Sequence, residues 1–121
     1  MKLSELCTIL VGVGLLTVSL PAEAHHSFAM FDQTKTIEFK GVTVSQFQWS
    51  NPHVYLLAQK GNTVYTLECS SPSGMRGLGW KFNSVKPGDK VDLTFFPLRD
   101  GRPGGELRSI ILGDGQTLKA W

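Results

Sequence analysis

The sequence predicts an all-β domain: an OB-fold-like, five-stranded Greek-key barrel with one short helix. After residue 35, five segments in which apolar residues alternate with polar ones are separated by turns that contain Gly, Pro or Asn. A segment with helix-start signals lies between the third and fourth of them, which is the pattern of an OB-fold. The competing prediction is a generic β-sandwich, which does not usually need the helix.

The first strand, predicted at residues 36–49, changes its apolar face partway along. Ile37 and Phe39 alternate with polar neighbours, whereas Val42 follows Gly41 on the opposite parity. A strand whose apolar face changes phase must contain a bulge or a sharp coil, and glycine is the residue that most readily permits one. We therefore expect a bulge at Gly41.

The other strands are shorter and are bounded by clear turns. Residues 51–52 end the first strand, residues 60–62 form a hairpin loop, and residues 99–105 form a flexible connection before the last strand. Residues 116–121 read as a short tail. The remaining strands are predicted at residues 54–59, 63–70, 90–98 and 107–112.

The helix is expected to begin at Ser71-Pro72. Serine is a preferred N-cap, and proline is favoured at the first helical position. Met75, Leu78 and Phe82 then form an apolar stripe with the spacing i, i+3, i+7. Glycines within the segment lower its helix propensity by roughly 1 kcal/mol each, so we expect one or two turns that are held by packing.

Residues 1–24 have the features of a cleaved secretory signal peptide. Lys2 supplies a positive start, and residues 8–20 form an uncharged apolar run that is shorter than the about 20 residues of a membrane-spanning helix. Residues 22–24 match the small-x-small cleavage pattern. We therefore expect cleavage after Ala24 and a periplasmic or secreted protein with no stable membrane anchor. An uncleaved anchor is the alternative.

Cleavage would leave an N-terminal arm, residues 25–34, followed by the barrel domain, residues 35–121. The arm has no clear periodicity and mixes aromatic with polar residues. The whole chain has a formal net charge of +2, and its basic residues are scattered. Because no block of them forms a track for polyphosphate, no nucleic-acid partner is expected.

The cysteines exclude an internal disulfide in the exported protein. Cys7 lies in the predicted signal peptide, so Cys69 is the only cysteine that remains after cleavage. A single thiol in an oxidising compartment is more often buried and inert than a ligand or a reactive group. We expect Cys69 to be buried.

Two of the three histidines, His25 and His26, occupy the predicted new N-terminus. A chain that begins with His25 can chelate one ion through its α-amine and its ring nitrogen. A second imidazole completes a T-shaped site of three nitrogens, called a histidine brace. A square-planar site of nitrogen donors favours copper(II). Copper can also displace the proton of an α-amine at neutral pH, because the pKa of that amine is about 8.

His53 is the predicted second imidazole, because it follows a turn at the rim of the barrel where the arm can reach it. His26 is an alternative donor, and it can also act as an outer ligand. The alternative interpretation is structural: histidines near a cleavage site can be incidental, and His53 can hydrogen-bond its own turn. Weaker donors are Asp32, Met30 and Glu68.

These residues lead to three functional hypotheses. The first is a copper carrier or copper-sequestering protein with metal ligands at His25, His53, His26 and Asp32. The second is a non-catalytic OB-fold module that recognises a peptide, a glycan or a periplasmic protein partner. Enzymatic activity at the copper site ranks last, because no nucleophilic triad stands at motif spacing. The binding loop predicted in either of the first two cases comprises Trp49, Asn51 and Pro52 together with Glu68.

Several short motifs together resemble a family of short secreted bacterial proteins with no assigned function. The resemblance implies export, a mature start at His25-His26, and a link between that start and residues 51–53. It also implies an acidic residue before the Ser-Pro helix start, a position that Glu68 matches, whereas Cys69 has no counterpart. The motifs lie at residues 25–32 (HHSFAMFD), 49–53 (WSNPH), 79–80 (GW), 86–89 (KPGD) and 97–101 (PLRDG).

The predicted N-terminus can be checked by the intact mass of the exported protein. We expect a mature chain that starts at His25, because small residues at positions 22 and 24 fit the cleavage pattern. Export in a bacterial host, purification and mass spectrometry identify the first residue directly. A mass that corresponds to any other first residue would contradict the expectation, and retention of residues 1–24 would indicate a membrane anchor.

Overall fold

A computed structural model describes residues 26–121 and contains six strands and two short helices. No helix within these residues is long and apolar enough to cross a membrane. In chain order the elements are α1 (His26–Ala29), β1 (Ile37–Gln48), β2 (Tyr55–Lys60), β3 (Thr63–Glu68), α2 (Pro72–Gly77), β4 (Lys90–Pro97), β5 (Gly104–Ile111) and β6 (Thr117–Lys119).

The first five strands form a closed, mixed β-barrel. β1 pairs antiparallel with β2 on one side and with β4 on the other. β2 continues antiparallel to β3, and β4 continues antiparallel to β5. β3 and β5 then pair in parallel and close the barrel, while β6 extends β5 at its other side. The predicted five-stranded barrel with a short helix between the third and fourth strands is confirmed.

The parallel closure requires two glycines at the start of β5. Gly104 and Gly105 lie opposite Thr66 and Leu67 of β3. A Cβ atom on Gly104 would lie 2.6 Å from the backbone oxygen of Thr66, and one on Gly105 would overlap the backbone oxygen of Phe96. Only a residue without a side chain lets the three backbones approach this closely.

β1 bends around the barrel at the predicted bulge. Its register against β4 shifts between Phe39 and Val42, and Gly41 has a φ of 61°. The backbone N–H of Gly41 donates to Oδ1 of Asp92 at 2.8 Å. This bulge brings Phe39 and Val42 to the same interior, which explains the change of parity in the sequence.

The interior is filled by one continuous apolar cluster that includes side chains from all five barrel strands. Trp80 closes one end of it, and its indole N–H donates to the backbone oxygen of Lys119 at 2.6 Å. The fully buried large side chains are Trp80, Phe95, Leu56, Leu67, Met75, Leu93, Leu107, Ile110, Val44 and Val54.

α2 begins where predicted, and its six residues make the expected one or two turns. The Ser71 hydroxyl accepts a hydrogen bond from the N–H of Gly74 at 3.1 Å, and Pro72 is the first helical residue. Gly79, with a φ of 94°, ends the helix in a Schellman motif in which the N–H of Trp80 donates to the backbone oxygen of Met75 at 3.0 Å.

The predicted apolar stripe of the helix is therefore wrong beyond its first residue. Met75 is buried, but Leu78 is partly exposed and the Phe82 side chain is 71% exposed. Because the left-handed Gly79 redirects the chain, Trp80 takes the interior position that the stripe assigned to later residues. A helical period cannot continue through such a cap.

The C-terminal third of the chain holds more regular structure than predicted. β5 begins at Gly104, so residues 99–105 are not all connection, and the tail includes a strand, β6. Leu118 and Ala120 are buried because β6 pairs with β5 and places them against the barrel end. The remaining predicted strands differ from the observed ones by one or two residues at their ends.

Replacement of Gly105 by Ala should destabilise the barrel, because its new Cβ would overlap the backbone of β4. We expect a loss of about 1–3 kcal/mol in the free energy of unfolding, the usual cost of overpacking. Gly77→Ala is the matched control: a Cβ there meets no atom within 4 Å, so stability should stay equal or rise by up to about 1 kcal/mol. Urea titration followed by Trp fluorescence measures both. Equal stability of the two variants would show that the closure does not need Gly105.

Candidate functional site

The N-terminal arm is attached at the end of β4. Phe31 is buried and pairs with Leu98. The N–H of Arg99 donates to the backbone oxygen of Met30 at 2.9 Å, and its Nε donates to the backbone oxygen of Ala29 at 3.1 Å. These contacts hold residues 29–31 at one end of the barrel.

His53 lies at this end with one ring nitrogen already engaged. The hydrogen-bonded ladder of β2 and β3 continues past their ends, because the N–H of Val54 donates to the backbone oxygen of Ser70 at 3.0 Å. His53 Nδ1 is 2.9 Å from the backbone oxygen of Cys69. Since a carbonyl can only accept, Nδ1 carries the proton, and in the neutral ring the lone pair is on Nε2.

Glu68 faces the free nitrogen of this ring. Its Oε1 lies 3.4 Å from Nε2 of His53. The Glu68 side chain is 11% exposed, and it lines a pocket of about 500 Å³ together with Tyr55 and with Met30 and Phe31 of the arm. The last residue of β3 therefore brings a carboxylate, the ring of His53 and the arm to one place.

A second carboxylate lies beside the first. Glu68 pairs with Tyr55 on β2 and with Glu106 on β5, so the three side chains share one face of the sheet. Glu106 is fully buried, and its Oε1 accepts a hydrogen bond from Nη1 of Arg108. The guanidinium carbon of Arg108 lies 4.8 Å from the ring centroid of Phe96. Within residues 26–121, Oε2 of Glu106 has no hydrogen-bond partner.

Burial controls the proton affinities of this face. Burial raises the pKa of the Glu68 carboxyl; the nearby His53 opposes the shift, and Glu106 adds to it. Burial also raises the pKa of Tyr55, and the charge of Glu68 contributes. The ionised form of Glu68 is therefore the costly one unless a positive charge lies close to it.

Trp121 connects His53 to the start of the arm. Its ring centroid is 5.7 Å from that of His53 and 5.4 Å from that of Phe28. His25 lies outside the described residues, three positions before Phe28. Residues 26–29 form the helix α1, which rises about 1.5 Å per residue, so Phe28 lies within one turn of the start of the described chain.

The structure brings together only some of the predicted site residues. His53 and Glu68 are adjacent, and His26 is the first residue of α1. Asp32 accepts hydrogen bonds from the N–H and the hydroxyl of Thr34 at 3.1 and 2.6 Å, which lower its pKa. Its ion pair within the described part of the chain is with Lys35, not with His53.

Only part of the predicted binding loop is exposed to solvent. The half-buried ring of Trp49 packs edge-on against Phe47 at 5.8 Å between centroids, and the guanidinium carbon of Arg76 lies 5.7 Å from its centroid. Asn51 and Pro52, joined by a cis peptide bond, are exposed. Trp49 therefore packs at the edge of the hydrophobic core and does not present a fully exposed aromatic ring.

No three His, Cys, Asp or Glu side chains come close enough to hold a metal within the part of the chain that the structure describes. The barrel itself offers two adjacent donors, His53 and Glu68. A complete metal site at this point needs further donors from residues 25–27 at the start of the arm, from solvent, or from both.

Three residues of this site were not predicted from the sequence: Glu106, Arg108 and Trp121. Glu106 and Arg108 are two positions apart on one strand, which places them on the same face. That signal was present, but the predicted strand began after Glu106. Trp121 gave no signal, because its role depends on β6 docking against the barrel.

The fold and the site define a small five-stranded β-barrel protein with a half-buried histidine beside a buried carboxylate at one end. The chain belongs to a family of unknown function, DUF6152, whose model matches residues 12–107. The match includes the loop before His53 and both carboxylates, Glu68 and Glu106. No curated protein and no solved structure matches the chain. The expected membership in a family without assigned function is confirmed, while export stays a prediction.

Cys69 should be unreactive in the folded protein. It is fully buried, and burial raises the pKa of its thiol, with a further contribution from Glu68. Since the thiolate is the reactive form, a folded protein that starts at His25 should not react with Ellman's reagent. A Ser73→Cys variant, whose added thiol is on the exposed face of α2, should react at one thiol per chain. Both should react fully in denaturant. Equal reactivity of Cys69 and the added thiol would contradict the buried position.

Proposed function

We propose that the protein is a periplasmic or secreted metal-binding protein that holds copper at a histidine brace. In this proposal His25 supplies the α-amine and a ring nitrogen after cleavage, and His53 supplies Nε2. His26 and Asp32 are alternative or outer ligands. The protein would act as a carrier or a sequestering protein, and no catalytic role is assigned to any residue.

The observation that carries the proposal is the orientation of His53. Its Nδ1 donates to the backbone oxygen of Cys69, which leaves Nε2 as the available donor. Metal-ligating histidines almost always have their second nitrogen hydrogen-bonded in this way, because the bond sets the tautomer and the ring orientation. A histidine that only stabilised its own turn would not need Nε2 to face a carboxylate.

The course of the arm supports the same proposal. Phe28 contacts Trp121, and Trp121 contacts His53. Phe28 belongs to α1, which begins at His26. A chain that begins at His25 would therefore have its first residue three positions from a ring that packs on the neighbour of His53.

Copper is the ion that fits the proposed donors best. An amine and two imidazoles are nitrogen ligands that suit copper(II), which also heads the affinity order of the divalent ions. Cys69, the sulfur that would compete for copper, is fully buried and its Sγ is 3.9 Å from the backbone oxygen of Leu67. The principal ligands are thus expected to be nitrogen and oxygen, and the Met30 thioether, which lines the same pocket as Glu68, is a weaker sulfur donor.

A second candidate function is a non-catalytic interaction module, and one observation favours it. A small pocket of about 280 Å³ is lined by Trp49, Arg76, Trp80, Lys81 and Phe82. The Phe82 ring on its edge is exposed. Aromatic rings next to two cations suit a peptide, glycan or protein partner with an anionic or aromatic group.

Copper titration of the protein that begins at His25 tests the metal proposal. We expect one ion per chain, and a loss of more than about tenfold in affinity for both His25→Ala and His53→Ala, because each variant removes a direct ligand. Gln46→Ala is the control, since it alters an exposed position of β1 that carries no proposed ligand. Unchanged affinity in both histidine variants would rule out the brace and leave the interaction module as the better candidate.

A further inference from the structure

The face formed by β2, β3 and β5 carries two buried carboxylates and one guanidinium. Glu68 and Glu106 are directly paired on adjacent parallel strands, which lie about 4.8 Å apart. Like charges at directly opposed positions destabilise a sheet. Arg108 balances one of the two charges, because its Nη1 donates to Glu106.

Arg108 is not available to Glu68 as well. Its guanidinium is held between Glu106 and the ring of Phe96. Arg102, which borders the same pocket as Glu68, donates from its Nε to Asp100 at 2.6 Å. Among the side chains of residues 28–121, the ion pair of Glu68 is therefore the one with His53.

When the His53 ring is neutral and Glu68 is ionised, no hydrogen atom lies between the two side chains to form a hydrogen bond. Nε2 then presents a lone pair to Oε1 of Glu68, which also has only lone pairs when ionised. Two acceptors at 3.4 Å need a positive species between them, either a proton or a metal ion. Bonds of about 2.0–2.2 Å place two ligands of one ion about 3.4 Å apart at the tetrahedral angle of zinc(II), and about 3 Å apart at the right angle of square-planar copper(II). The observed separation therefore fits zinc(II) directly, and copper(II) would draw the two atoms slightly closer.

We propose that Glu68 is a direct oxygen ligand of the ion held by His53, and that this carboxylate makes the site select divalent ions over copper(I). The proposal rests on the metal-binding function above and adds the class of ion. Glu106 is a positioning residue, because it accepts the hydrogen bond of Arg108. The Glu68 carboxylate is then not neutralised by that guanidinium and can bind the ion.

The donor chemistry gives the selectivity. Imidazole and carboxylate ligands suit copper(II) and zinc(II), whereas copper(I) prefers thiolate and thioether sulfur. Cys69 follows Glu68 directly in the sequence, but its side chain points to the opposite side and is fully buried in the core. The carboxylate of Glu68 therefore faces the site, whereas the thiol of Cys69 lies in the core and cannot reach the ion.

The test compares three ions on one set of variants. The protein that begins at His25 is titrated with copper(II), zinc(II) and copper(I), each in competition with a chromophoric chelator. We expect Glu68→Gln to lower the affinities for copper(II) and zinc(II) by at least about 10–100-fold, because that is the loss typical when even an outer partner of a metal ligand is removed. The copper(I) affinity should stay unchanged. Glu38→Gln, the same exchange at an exposed position of β1, should change none of them.

The outcomes separate this proposal from the function on which it rests. If His53→Ala weakens divalent binding and Glu68→Gln does not, the site exists without the carboxylate ligand and the present proposal is wrong. An equal loss for copper(I) in Glu68→Gln would also overturn it. If neither variant changes any affinity, the metal-binding function itself fails. Protection of Cys69 from thiol reagents shows that each variant is folded, and Glu68→Ala repeats the test without introducing an amide.

Discussion

The parallel pairing of β3 with β5 is the constraint on which the rest of the structure depends. It closes the barrel, and it is possible because Gly104 and Gly105 let the backbones of β3, β4 and β5 approach one another. The same pairing places Glu68 beside Glu106 on the outer face. A closed barrel has no free edge at this point, but the closure forces two carboxylates into neighbouring buried positions. Their charges must then be balanced locally, by Arg108 for one and through His53 for the other.

The site follows from this arrangement and from the two chain ends that meet there. Glu68 ends β3, and the ladder beyond it holds His53 against the backbone oxygen of Cys69. The arm is attached at the end of β4, and its Phe28 reaches Trp121 near the C-terminus. A rigid donor on the barrel is thus placed next to the stretch of chain that the predicted cleavage would turn into an N-terminus. Metal binding would connect the two, and the oxygen of Glu68 would determine which ions bind well.

Much of the fold could be predicted from the sequence, because its signals are local. The parity change at Gly41 predicted the bulge, and Ser71-Pro72 predicted the start of α2. The apolar stripe assigned to that helix was wrong beyond Met75, since the left-handed Gly79 ends the helical period. His53 and Glu68 were candidates from residue type alone, but their adjacency depends on the β2–β3 register. Glu106 and Trp121 escaped notice, because their roles arise from the β3–β5 and β5–β6 pairings, which join segments far apart in sequence.

The central claim is that the barrel contributes His53 as a ligand to an ion bound at the processed N-terminus. The most direct measurement is the number of nitrogen ligands on copper(II), counted from the superhyperfine splitting in the electron paramagnetic resonance spectrum of the stoichiometric complex. The account predicts three nitrogens for the protein that begins at His25 and one fewer for His53→Ala, because Nε2 of His53 is the donor that Cys69 orients. An identical nitrogen count in the two proteins would contradict it.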